Sequence, residues 1–234
     1  MVEQNKIHWT SKAIILMGFW LWEQEEYGHA MLCIHAPNWG YKIGHQLKLT
    51  WNDVIDSKTG KCRPEIDLPY VGHSRPIRTF AKENIEMAFK KLKIKDASEP
   101  IYKNWKTGKP LTSSTLNREM QRFSEKFIDT MKEKTGTELY YRPFKSNAFE
   151  IAWAKDLTKA NQYTPQIYRM LSQFMGHRTV KDTMELLEEE PDDLSTYFGF
   201  DLIKEESPIF QKDFLNDKEA LSKFLSINLY LQID

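Results

Sequence analysis

The sequence predicts an α+β fold, mainly helical with one small antiparallel sheet, and three observations carry that reading. Several long stretches place apolar residues at helical spacing, and one short stretch, 65–71, alternates apolar and polar residues instead. Proline and glycine punctuation falls between these stretches, in the order helices, sheet, helices. The 234 residues are 41% hydrophobic, 28% charged and 13% aromatic. That length and composition suit a folded chain with a sizeable core and exclude low-complexity and collagen-like classes.

Each element has a local reason. Thr10 or Ser11 is placed to cap a helix over 13–26 whose apolar residues cover nearly the whole circumference, so it should be well buried. A second helix is expected over 27–35, broken at Pro37 to Gly40, with a restart over 41–49 that puts Ile43, Leu47 and Leu49 on an inward face. Ile66, Leu68 and Tyr70 alternate with polar neighbours, and a turn at 72–74 leads into 76–80, which makes a β-hairpin. Residues 81–92 read as an amphipathic helix with Ile85, Ala88, Phe89 and Leu92 on one face. Lys90, Lys91, Lys93 and Lys95 crowd its end, where cations suit the helix dipole. A turn-rich stretch over 96–110 follows. Thr112 or Ser113 then caps a long helix marked by Leu116, Met120, Phe123, Phe127 and Met131. Pro143 is expected to open another helix, with Phe144, Ala148, Ile151 and Ala152, and Pro165 the next, ending at Gly176. Residues 218–231, from Lys218 to Leu231, carry Leu221, Phe224, Leu225 and Leu229 on one helical face and read as a docking helix.

Net charge is zero, yet it is unevenly spread. Residues 1–180 hold 28 Lys and Arg against 19 Asp and Glu, whereas 181–234 hold 5 against 14, led by Glu188, Glu189, Glu190, Asp192 and Asp193. The chain thus reads as a basic body with an acidic tail, which is either a solvated segment or one that competes with polyanions for the body. Cys33 and Cys62 are too few for a disulfide scaffold, and with no leader-like N-terminus the expected setting is reducing and cytoplasmic. The apolar stretch 13–22 is too short to span a bilayer, so no membrane role is expected. No metal-ligand spacing, phosphate-binding glycine loop or serine-nucleophile elbow occurs, so neither a metal nor another cofactor is expected.

Two segments carry a more specific pattern. Gly40-Tyr41-Lys42-Ile43-Gly44-His45 followed by Leu49-Thr50-Trp51-Asn52-Asp53 resembles the first box of the tyrosine recombinases, or phage integrases, where a Gly-Leu-Arg turn precedes Leu-x-Trp-x-Asp. Downstream, Leu171 to Thr183, with Met175-Gly176-His177 and a threonine six positions after the histidine, resembles the family's second box. Between them, Tyr141-Arg142-Pro143-Phe144-Lys145 lies where the family has His-x-Leu-Arg-His. The similarity covers roughly residues 1–190, an integrase-like catalytic domain, with 191–234 left as the acidic tail.

The resemblance implies a phosphoryl transfer in which a tyrosine attacks the scissile phosphate. Two arginines and a histidine hold its oxygens, and a hairpin lysine assists the leaving group. Carried onto this sequence, the first arginine is Lys42, the next box's histidine is Arg142 and its arginine is Lys145. The usual acidic residue three positions after the first arginine is His45, and the hairpin lysine aligns with Tyr70. His177 alone is retained. Lysine lacks the planar fork of arginine, so these positions suit phosphate binding better than transition-state stabilisation. The nucleophile is expected nine positions after His177, and that residue is Leu186, which cannot attack phosphorus. Tyr197, twenty positions after His177, is the nearest downstream substitute, while Tyr140, Tyr141, Tyr163 and Tyr168 read as packing residues.

The expectation is therefore a mobile-element or phage protein with the recombinase catalytic-domain fold that binds DNA and does not cleave it. It would contact the backbone weakly and without sequence preference through Lys42, Arg75, Arg142, Lys145 and Arg178, lacking the family's separate clamping domain. Two rivals stand beside it: an active divergent recombinase using Tyr197 or another tyrosine, and a protein-interaction scaffold that has left DNA. Family members exchange C-terminal segments between subunits, so 218–231 would join a second copy or a partner recombinase. Taken alone, His177 reads as an ordinary helix-terminal residue, and Lys42, Arg142 and Lys145 as solvated cations.

Overall fold

The computed structural model describes residues 8–67, 74–77, 79–136 and 141–187. Helix α1, Ser11–Glu23, starts where the Thr10 side chain accepts a hydrogen bond from the Ala13 amide at 3.2 Å. It ends at Glu23 and not at residue 26, because Glu25 turns into the left-handed region at φ 60°. Its apolar circumference is buried as expected: Ile14, Leu16, Met17 and Leu21 are inaccessible. Helix α2, Tyr27–Trp39, folds back onto α1 and is buried almost throughout.

The expected break at Pro37 does not occur, and the helix runs on to Trp39. Proline removes an amide donor, but this one sits in the final turn. There the Asn38 side-chain amide donates to the Ile34 carbonyl at 2.7 Å, and Gly40, at φ 64°, closes the helix through Ala36. Gly40 has a second reason to be glycine: a Cβ there would lie 2.1 Å from the indole ring of Trp153. The restart over 41–49 is shorter than its pattern suggests. Only α3, Ile43–Gln46, is helical, although Ile43, Leu47 and Leu49 are all buried.

Helix α4, Trp51–Val54, is a single turn capped by its own aspartate. The Asp53 carboxylate accepts from the Thr50 amide at 2.7 Å and the Thr50 hydroxyl at 2.8 Å, while Trp51 is fully buried. The Leu49-x-Trp51-x-Asp53 ending thus builds a cap and a core anchor. Two antiparallel ribbons follow where one was expected. Strands β1, Ile55–Asp56, and β2, Lys61–Cys62, pair Ile55 with Cys62, and β3, Glu65–Asp67, pairs with β4, Ser74–Pro76, through Ile66 opposite Arg75. The return strand is Ser74–Pro76 and does not reach residue 80, because α5, Thr79–Lys91, takes up the chain from Thr79. Leu68, Tyr70 and residues 72–73 of the expected turn lie outside the described residues, and its last residue, Ser74, opens β4.

Helix α5 buries Ala81, Ile85 and Ala88, with Lys90 and Lys91 in its last turn. The turn-rich 92–112 segment is tied to the core by Ile101, whose amide donates to the Leu49 carbonyl at 3.0 Å. Tyr102 ties it too, its hydroxyl 3.3 Å from His35 Nδ1. His35 Nε2 meets Asn84 Oδ1 at 3.0 Å, so three elements share one buried polar network. Helix α6, Ser113–Thr135, shows the expected face, with Leu116, Met120, Phe123, Phe127 and Met131 all buried.

Pro143 does not open a helix. Helix α7 is Ala148–Ala160. Phe144 is drawn into the core beside Trp9 and Phe149, each 5.2 Å away, and the Ser146 amide donates to Asn117 at 2.6 Å. These anchors hold the chain off helical geometry until Asn147. Helix α8, Pro165–Met175, begins at its proline and ends at Gly176, φ 71°, as expected. Helix α9, Val180–Leu187, was not anticipated. Two apolar clusters result. The larger spans α1 to α6 and the head of α7, and the smaller joins the remaining face of α7 to α8 and α9 through Trp153, Ile167, Leu171 and Leu187. No helix among the described residues is long and apolar enough to cross a membrane. The tail from residue 188, with its acidic run and 218–231, lies outside the described residues.

Candidate functional site

The two boxes that sequence reading singled out meet in space beside the first turn of α7. Gly40 turns the chain out of α2, and Trp153 packs against that turn. One turn earlier on α7, Glu150 accepts a hydrogen bond from the Ile43 amide through Oε1 at 3.2 Å. The 40–46 segment, which carries Lys42 and His45, is thereby fixed to α7. Gly176 closes the approach from the other side: a Cβ on it would lie 3.7 Å from Lys42 Nζ, so the ammonium group sits along the α8–α9 turn.

That turn is braced at both ends. The His177 amide donates to the Ser172 carbonyl at 2.9 Å, the six-to-one bond of a helix end closed by a left-handed glycine. Thr179 and Asp182 then cap α9 reciprocally, with Thr179 N to Asp182 Oδ2 at 3.0 Å and Asp182 N to Thr179 Oγ1 at 3.1 Å. Between these fixed points, His177 Nδ1 lies 2.9 Å from the hydroxyl of buried Thr183. The Gly176-His177 pair and the threonine six positions on therefore form one device. Glycine ends the helix, and the threonine orients the imidazole with Nδ1 engaged and Nε2 on the opposite edge of the ring.

Electrostatics single out Glu150. Burial pushes its carboxyl group up from the ordinary range, and the Ile43 amide, Lys42, His177 and His45 pull in the opposite direction. One half-buried carboxylate thus faces three potential cations from two distant parts of the chain. Asp182 is held low by the backbone and side-chain hydrogen bonds of Thr179, with Arg178 and His177 adding to this.

Of the residues anticipated for the site, the structure brings Lys42, His45 and His177 together. Arg142 is half-buried and tied to the N-terminal segment: Nη1 lies 3.2 Å from His8 Nε2, and its carbonyl accepts from the Trp9 indole at 2.8 Å. Lys145 is exposed ahead of α7, its carbonyl accepting from the Ala148 amide. Arg178 is exposed on the α8–α9 turn, and Arg75 lies in β4. Leu186 falls on α9, half-buried against the smaller apolar cluster. Tyr141 stacks on Trp9 at 4.3 Å with its phenol pushed up to about 12 by burial, and Tyr168 is also buried. Tyr70, Tyr140 and Tyr197 lie outside the described residues.

Sequence reasoning missed Glu150. It belongs to neither box, and only the α7 docking brings it to Ile43. Among the described residues no group of three or more His, Cys, Asp and Glu is arranged to hold a metal ion. Elsewhere, a polar cleft of about 420 Å³, lined by Asn52, Asp53, Arg63, Pro64, Glu65 and Asp67, lies between α4 and the β3–β4 ribbon. No family model, curated protein or solved structure matches the chain.

Proposed function

We propose that this protein is an integrase-like, DNA-binding relative of the tyrosine recombinases that grips the DNA backbone and does not cleave it. The observation that carries the reading is the meeting of Lys42 and His177, far apart in sequence, at one site with the His177 ring oriented by Thr183. A recombinase places its first arginine and its second-box histidine in such a relation around a phosphate. Lys42 would give a point charge, His177 Nε2 a directed donor, and neither the bidentate clamp that stabilises a five-coordinate phosphate. Leu186 at the nucleophile position packs into an apolar cluster and has no nucleophilic atom. The balance of 28 basic to 19 acidic residues over 1–180 favours backbone contacts, which carry affinity but little sequence information.

The test is duplex-DNA binding by the full-length chain, followed by fluorescence anisotropy across a salt series, together with a suicide substrate that traps covalent intermediates. Binding that weakens steeply with salt, is impaired by Lys42→Ala and gives no protein–DNA adduct is the expected result. A phosphotyrosyl adduct lost on Tyr197→Phe would establish an active enzyme instead. No binding at low salt would leave the recombinase-like fold as a protein-interaction scaffold.

A further inference from the structure

The half-buried carboxylate of Glu150, bonded to the Ile43 amide beside Lys42 and His177, needs an explanation. Its Oε1 takes the Ile43 amide, a backbone donor at the mouth of the 40–46 turn of the kind an oxyanion would use. Lys42 and His45 face it from that segment, and His177 from the α8–α9 turn. Other charged groups on the packed elements have partners of their own. Asp182 is bound to Thr179, with Arg178 beside it. Lys12 of α1 lies by Lys159 and Asp156 towards the far end of α7, and His35 of α2 is enclosed by Asn84 and Tyr102. Glu150 is thus the carboxylate that meets Lys42, His45 and His177 together, while Asp182 acts on His177 from its own capped position.

We infer that Glu150 is a resident counter-ion that competes with phosphate: its carboxylate holds the Lys42–His177 site, and a phosphodiester oxygen replaces it only when the carboxyl group is neutral. This rests on the phosphate-binding reading of the site and adds its regulation. Burial of Glu150 favours the protonated form, so release is promoted as pH falls. The expected coupling is one proton taken up for each phosphate group seated, and DNA binding that tightens as pH falls.

The experiment compares full-length wild type, Glu150→Gln and Glu150→Asp for binding of a fluorescein-labelled duplex from pH 5.5 to 8.5 at fixed ionic strength. The readout is the ratio of variant to wild-type affinity at each pH, which cancels whatever the three chains share. Glu150→Gln keeps an acceptor for Ile43 and should bind about tenfold tighter than wild type at pH 7.5, the scale of removing one unit charge near others at a protein surface. That ratio should fall towards one as the pH is lowered, and Glu150→Asp should follow the wild type. A ratio of one at every pH overturns the inference while leaving DNA binding intact. Should no variant bind DNA at any pH, it is the DNA reading that fails. The counter-ion role is then read from inorganic phosphate titrations followed through the imidazole ¹H–¹⁵N signals of His177. Tighter phosphate binding by Glu150→Gln at neutral pH supports it, and equal binding overturns it.

Discussion

Replacing Gly40 by alanine tests how the site is anchored, and it comes with an internal control. Gly40 sits at φ 64° and Gly60, in the β1–β2 turn, at φ 65°, so both variants strain the backbone alike, by roughly 1–2 kcal/mol. The two differ in space. A Cβ at Gly40 would meet three atoms of the Trp153 ring at 2.1, 2.1 and 2.7 Å, whereas nothing lies within 4 Å of one at Gly60. The indole is part of a buried cluster and not the far end of a flexible chain, so either the turn or α7 must move. Overpacking of that kind costs about 1–3 kcal/mol. Gly40→Ala should therefore lose about 2–5 kcal/mol in urea unfolding followed by tryptophan fluorescence, and Gly60→Ala about 1–2. Equal losses would refute the close approach of Trp153 to the turn, and with it the account of how α7 positions Glu150.

Three further predictions concern other parts of the molecule. Thr179→Ala removes the hydroxyl that caps α9 and should cost about 1 kcal/mol, seen as faster hydrogen exchange at the Asp182 amide; unchanged exchange would remove the cap from the account. The buried His35 imidazole is held down at about 4 by burial, against about 6.5 in an unfolded chain. Between those values the unfolded state binds the extra proton, so the stability from His35 is complete above pH 6.5 and falls as pH drops towards 4, by up to about 1.4 kcal/mol per pH unit. His35→Gln should flatten that slope, and a slope equal to that of the wild type would contradict it. Burial pushes the Cys62 thiol up to about 12 and the fully buried Cys33 thiol higher still. Iodoacetamide at pH 8 should therefore modify Cys62 slowly and Cys33 only in denaturant, and native labelling of Cys33 by mass spectrometry would show α2 to be less enclosed.

What could be read in the sequence follows a physical divide between local and distant causes. Helix α6 was legible because Leu116 to Met131 repeat on one face against one core, and α8 because Pro165 and Gly176 satisfy the two ends of a helix by different local rules. The same rules failed at Pro37 and Pro143. The Asn38 side chain keeps the last turn of α2 bonded, and Trp9, Phe149 and Asn117, all distant in sequence from Pro143 or beyond it, hold residues 143–147 off the helix. The β1–β2 ribbon has two-residue strands, too short for alternation to show. The signal for α9 was present, since Thr179 and Asp182 stand three apart as a capping pair. Within the site, Lys42, His45 and His177 stood out through the resemblance of their segments to the two recombinase boxes. Glu150 carries no local mark, because its role comes only from the α7 packing that sets it against Ile43.

The division of the interior into two clusters has a thermodynamic consequence. Lys42 belongs to a segment rooted in the larger cluster through Tyr41, Ile43 and Leu47, whereas His177 is carried by helices rooted in the smaller one. The α8–α9 hairpin, tied to the larger cluster only through Phe174 among its apolar side chains, is therefore expected to open at a free energy below that of global unfolding. Such an opening would separate His177 from Lys42 while the larger core stays folded. Any anion that bridges the two halves then acts as a cross-link between two folding units, and its binding energy appears as added protection of the α8 and α9 amides.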